Sequence, residues 1–161
     1  MWKSRTPQDA VGLASQLSEI NWTWQLAEIP QLVEQFGWTM IATNSTGAMF
    51  DTGFGLASGK AFAHEGQVQR LQVSLSTIGP DTDDTRAQVR SAYSDMADAL
   101  VAALGTPSSA NKGELEELRW AGPESTLLLQ ELTRSITLVL ATNDWLAGFD
   151  RSVEHSRQGL I

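Results

Sequence analysis

Leu115-Glu116-Glu117-Leu118-Arg119-Trp120, Ser125-Thr126-Leu127-Leu128-Leu129-Gln130 and Ser135-Ile136-Thr137-Leu138-Val139-Leu140-Ala141 follow one another and lead straight into a helical pattern ending near Arg157. Leu118 and Trp120 alternate with Glu117 and Arg119. Leu127 and Leu129 alternate with Leu128 and Gln130, and Ile136, Leu138 and Leu140 with Thr137, Val139 and Ala141. Successive side chains of a strand point to opposite faces, so residues two apart line one surface. The stretch therefore reads as a three-stranded antiparallel meander with one buried face. Thr142-Asn143-Asp144 caps the helix that follows, with Leu146, Phe149 and Val153 as its expected inward stripe.

Upstream of the meander, Asp81-Thr82-Asp83-Asp84 places acids at a helix start, where the macrodipole favours them. Val89, Tyr93, Met96, Leu100 and Leu104 form the stripe of this long helix, and Gly105 with Pro107 end it. Ser108 to Gly113 reads as a linker into the meander. Further back, Trp38 to Ala42, Ala48 to Thr52, a run continuing through Phe62, and Val68 to Leu75 read as strands. Asn44-Ser45-Thr46-Gly47 and His64-Glu65-Gly66 supply turns between them. Val68 is out of phase with Leu71, Val73 and Leu75, which predicts a bulge. Thr6-Pro7 opens a first helix carrying Val11, Ala14 and Leu17, and Ile29, Leu32, Val33 and Phe36 mark a second, with Pro30 in its first turn and Gly37 to stop it. Asn21 to Leu26 alternates and reads as a short strand or an extended lead-in. The order is helix, helix, strands, long helix, three strands, helix. It predicts an α+β fold over residues 1–161 as one domain, an antiparallel sheet with helices mainly on one face. The order is broadly that of secretion-chaperone-like folds, an analogy that does not determine function.

A length of 161 residues, 42% of them apolar, allows one hydrophobic core without staples. There are no cysteines, which removes disulfides, thiolate metal sites and thiol nucleophiles. The formal charge is −8 with scattered bases, so nucleic acid and anionic membranes are not the expected partners. A basic protein partner suits this balance better, because opposite charge speeds encounter. No apolar run approaches the ~20 residues that span a bilayer, and Met1 to Pro7 lacks an apolar leader, so the cytoplasm is the expected compartment.

Gly53-Phe54-Gly55-Leu56-Ala57-Ser58-Gly59 lacks the spacing and following helix of a dinucleotide loop, and glycines at a hairpin or bulge account for it better. Asp81, Asp83 and Asp84 resemble a calcium-loop opening, but Arg86 and Ala92 stand where that loop needs glycine and glutamate. No cofactor and no metal site is expected. Ser58, His64 and Asp51 can be drawn as a triad without the G-x-S-x-G elbow. Of six tryptophans, Trp38, Trp120 and Trp145 fall in patterned elements, whereas Trp22 and Trp24 share one side of an extended stretch. That pair either anchors a partner or covers the open end of the sheet.

Trp22-Thr23-Trp24, then Ile29-Pro30-Gln31-Leu32, Phe36-Gly37-Trp38, Asp51-Thr52-Gly53-Phe54-Gly55, Arg119-Trp120 with Thr126-Leu127, and Thr142-Asn143 together resemble an uncharacterised actinobacterial domain-of-unknown-function family. Its small members resemble immunity proteins encoded beside polymorphic toxins. The resemblance implies neutralisation of a toxin by direct binding. The expected function is thus a non-catalytic binding protein of the immunity type, facing a toxin domain with a basic surface, as a monomer or homodimer. A secretion-chaperone-like module holding an export substrate is the alternative, and a small hydrolase using Asp51 is the third. The expected partner-binding residues are Trp22, Trp24, Asp51, Asp83, Asp84, Glu114, Glu116 and Glu117.

Overall fold

Thr6 sets the first element. Its Oγ1 accepts the Asp9 N–H at 3.1 Å and Pro7 takes the first helical position, which starts α1 (Pro7–Ser18). The computed structural model describes residues 2–157. A short 3-10 turn (Leu26–Glu28) leads into α2 (Ile29–Gln35), which Gly37 stops at φ 74°. Four strands follow: β1 (Thr39–Asn44), β2 (Gly47–Asp51), β3 (Gly59–His64) and β4 (Gln67–Ser74). Glu65 and Gly66 both take positive φ, 51° and 81°, the backbone twist that a tight hairpin needs. The register slips beside it, with Ala63 opposite Val68, so the expected bulge is present.

Thr82 caps α3 (Asp83–Leu104) by accepting the Thr85 N–H at 3.2 Å. Then come β5 (Ser109–Lys112), β6 (Glu116–Ala121), β7 (Ser125–Glu131), β8 (Ile136–Thr142) and α4 (Asn143–Arg157). The strands make one antiparallel sheet in the order β1-β2-β3-β4-β8-β7-β6-β5. Two four-stranded meanders therefore meet at their last strands, where Arg70↔Ala141 to Ser74↔Thr137 pair. The fold is α+β, as expected.

One sheet face carries the main core. Leu17, Ile29, Val33, Val89, Met96 and Leu100 from α1, α2 and α3 meet Phe50, Leu71, Val73, Leu127, Leu129 and Leu138. Tyr93 is buried there and its Oη donates to Leu129 O at 3.3 Å. Burial first, then the charges of Glu116 and Glu131, push its phenol well above the usual range. On the other face, α4 lays Leu146 and Trp145 over Leu128, Val139 and Ala141.

Three expectations change, and one open alternative is decided. The meander is buried on both faces along β7 and β8, because α4 covers the side read as open. Ser108 to Gly113 is not a linker: it contains β5, which completes the free edge of β6 from Ser109↔Arg119 to Lys112↔Glu116. A wholly exposed edge strand has no buried side to create an alternating pattern, so composition could not reveal it. Asn21 to Leu26 is the extended lead-in and not a strand. It makes a single bridge, Gln25↔Gln67, and Trp24 sits at φ 59°. Phe149, expected inward, is 47% exposed and stacks on Trp145, with ring centroids 5.1 Å apart.

Two glycines test the packing with opposite signs. A Cβ on Gly59 would overlap the Phe50 ring and lie 2.8 Å from Thr52 Cγ2, whereas one on exposed Gly12 in α1 meets nothing within 4 Å. Gly59→Ala should lower stability by about 1–3 kcal/mol through overpacking. Gly12→Ala should raise it by about 0.5–1 kcal/mol through helix propensity. Urea midpoints of the two variants check both; equal shifts would contradict this packing.

Candidate functional site

Glu117 and Arg119 leave the main core because they alternate with Leu118 and Trp120 along β6. The face they reach is the one on which α4 lies. Leu146 anchors that helix to the sheet, and Asp150 follows one turn later on the same side. Asp150 takes Arg119 in a fork, Nη1–Oδ2 at 2.7 Å and Nη2–Oδ1 at 2.9 Å. Arg119 Nε donates to Glu117 Oε2 at 2.8 Å, and Gln130 Nε2 donates to Glu117 Oε1 at 2.7 Å. The bond to Asp150, foremost, lifts the Arg119 guanidinium above its ordinary range, and the same bond holds the Asp150 carboxyl below its own.

This network is the wall of a groove of about 490 Å3 between α4 and the ends of β5, β6 and β7. Glu117, Asp150 and Glu154 line it with Arg119 and Arg157, while Glu116 and Glu131, also at its edge, turn their carboxylates toward Arg90 of α3 on the other face. Arg119 is held by two of these acids and Arg90 takes Glu131 and Glu116 from the other face, so the surplus of negative charge at the groove is small. Leu115, Leu132 and Phe149 also line it, at 36%, 37% and 47% exposed. Three sizeable apolar side chains left in water around one acidic depression mark an interaction surface. The free edge of β5 borders it, with Ser109, Ala110 and Asn111 in the lining.

On the other face of the same strands, in phase with Leu127 and Leu129, Glu131 turns toward α3 with its side chain fully buried. Its Oε1 accepts the Glu116 N–H at 2.9 Å, and Oε2 sits 2.9 Å from Arg90 Nε without an aligned N–H. Arg90 also approaches Glu116 Oε1 at 3.8 Å and donates from Nη2 to Glu114 O at 2.8 Å. One α3 arginine thus ties the β5–β6 turn to a buried acid.

The structure brings together Glu114, Glu116 and Glu117 from the expected set, at the β5–β6 end beside this groove. Asp83 and Asp84 are exposed in the first turn of α3, on the neighbouring side. Arg86, just after them, reaches Leu132 O at 3.5 Å and Thr133 O at 3.4 Å. Asp51 ends β2, five strands from β6 and so roughly 24 Å away. Its Oδ1 accepts the Gly53 N–H at 2.7 Å and shapes the β2–β3 loop. Ser58 Oγ donates to Gly55 O at 2.6 Å in the same loop, while His64 stands at the far end of β3. The drawn triad is not assembled.

Trp22 and Trp24 sit against the core with centroids 5.0 Å apart, and Trp24 O accepts the Val68 N–H at 2.8 Å. The pair covers the start of β4. Trp22 also borders a second cleft of about 330 Å3 between α1 and α2, lined by Gln16, Asn21, Glu28, Gln31 and Gln35. Glu28 there accepts the Thr23 and Gln25 N–H groups and the Thr23 hydroxyl, and that last bond lowers its carboxyl most. Sequence reasoning missed Phe149, Asp150 and Glu154. The signal was present in Leu128, Val139 and Ala141, an apolar second face that needed a helix over it.

Residues 8–142 match the family of unknown function DUF6301, and the chain belongs to that family. No curated protein and no solved structure matches the chain.

Asp150 gives the site a pH signature. A carboxyl held low in the folded state binds fewer protons than in the unfolded chain. Its contribution is therefore present above the unfolded value near ~3.9 and is lost as pH falls through the folded one. Wild type should be more stable than Asp150→Asn at pH 7, and the gap should close in strong acid. Half-exposure of Asp150 keeps the gap small. Thermal midpoints across this range check it; a gap that widens in acid would contradict the pairing.

Proposed function

We propose that this chain is a non-catalytic binding protein of the immunity type. It takes a basic, partly apolar segment of a toxin domain into the groove between α4 and β5–β7. The observation that carries this reading is the meeting of carboxylates with exposed Leu115, Leu132 and Phe149 in one depression. Lysine or arginine side chains of a partner would face Glu114, Glu117 and Glu154, and its apolar side chains would cover Phe149. Aromatic anchors at the centre of a charged rim are the usual arrangement of an affinity-bearing patch. The net charge of −8 adds a long-range attraction that works on the encounter more than on the final complex.

Toxin neutralisation rests further on the association of small proteins of such a family with immunity proteins encoded beside toxins. Occlusion of a toxin's active site requires only a complementary surface, and the groove supplies one. Trp22 and Trp24 are better explained as packing than as anchors, since both rest on the core.

The partner is to be recovered from a lysate of the source cells and its association followed by stopped flow. The association rate should fall steeply as salt is raised. Glu114→Lys combined with Glu154→Lys should slow association by about tenfold. Phe149→Ala should speed dissociation by about tenfold or more. A partner whose rates ignore salt and all three substitutions binds elsewhere, and the reading falls.

A further inference from the structure

Arg70 lies on the outer sheet face, on β4, where α4 meets the open half of the sheet. Its Cζ is 3.9 Å from the Phe62 ring centroid and 5.0 Å from that of Trp145. Those rings attract its charge, but neither accepts its in-plane N–H groups. Arg5, Arg86, Arg90, Arg119 and Arg134 all donate to carbonyls or carboxylates. Among the described residues, Arg70 makes no side-chain hydrogen bond and no ion pair. It is nonetheless about half removed from water, and burial alone lowers its guanidinium, with no carboxylate near enough to raise it.

Lys60 stands beside it. Lys60 pairs with Gln72 and Phe62 with Arg70, so the two cations are diagonal neighbours on adjacent strands of the same face. Lys60 also lacks an acidic partner among the described residues. Around it Met49 and Phe62 line a shallow depression of about 210 Å3 on the part of the sheet beyond α4. A chain with 19 acids thus leaves two adjoining cations without one, against an open strip of sheet.

We infer that Arg70 and Lys60 form an anion site for a carboxylate, supplied by an acidic side chain of a protein segment lying across the outer face of β2, β3 and β4. A guanidinium held by rings presents its N–H fork in plane, which matches the two oxygens of a carboxylate. The surrounding field of a −8 protein repels a phosphate dianion more than a carboxylate monoanion. The site borders the acidic groove, because Arg70 also lines a small cavity under α4 with Glu117, Arg119 and Phe149, but it does not depend on the function proposed for that groove.

The test uses the full chain labelled with 15N, following the Arg70 Nε–H and Trp145 Nε1–H resonances. One arm adds a short acetylated peptide alternating glutamate and valine; a second adds the glutamine–valine counterpart; a third adds inorganic phosphate. The glutamate peptide should give a saturable shift of both resonances, with none from the glutamine peptide and weaker binding of phosphate. Arg70→Lys, which loses the fork, should weaken the peptide about tenfold, and Lys60→Gln about threefold. Absence of a saturable shift in the wild-type chain overturns the inference. So does tighter binding of phosphate than of the peptide, or equal binding of the glutamine peptide. If Arg70→Lys does not fold, Lys60→Gln decides: unchanged affinity there overturns the site.

Discussion

Everything in this molecule hangs on the pairing of β4 with β8. Each meander is local in sequence and closes through short turns, whereas this one ladder joins residues 70–74 to residues 137–141. It turns two four-stranded pieces into a single sheet wide enough to carry α1, α2 and α3 on one side and α4 on the other. Val73, Leu138 and Leu140 are almost wholly buried at this seam. A slip of one residue would exchange the faces of a whole strand, placing Gln72 and Thr137 in the main core. The alternation on both strands therefore enforces the register.

The same ladder decides where the charge goes. With the sheet continuous, α4 has a defined strip, β7 and β8, on which to lay Leu146 and Trp145. Its next turn then carries Asp150 to Arg119, and the fork between them holds the helix at the angle that leaves a groove. On the opposite side Arg90 of α3 holds buried Glu131. Arg90 is half exposed, so its removal is the costly change: it would leave the Glu131 carboxylate buried without its cation. The β6–β7 end is thus built from acids that arginines of two helices organise.

The elements whose chemistry is local could be read directly. Thr6-Pro7, Thr82 with its acids, Gly37 and Glu65-Gly66 act through caps and turns, and each is where its residues say. The bulge at Val68 came from phase alone. β5 was missed because Ser109 to Lys112 is exposed throughout, and an unburied strand carries no periodic signature. Phe149 was misread because helical spacing marks a stripe without stating how much of it the partner surface reaches. Of the expected acids, Glu114, Glu116 and Glu117 cluster since they are neighbours in sequence; Asp51 lies five strands away, a separation that no spacing rule conveys.

Sequence by itself determined the α+β class, the helix ends, the turns and the strand residues that face the main core, since burial and capping act over a few bonds. It also determined the acidic balance and the lack of thiols. Only tertiary structure decided that the meanders join at β4 and β8, that α4 covers the second face, and that Asp150 meets Arg119 while Arg70 meets no acid. Those are long-range contacts, chosen by the competition of whole surfaces for burial, and local patterns carry no record of the winner.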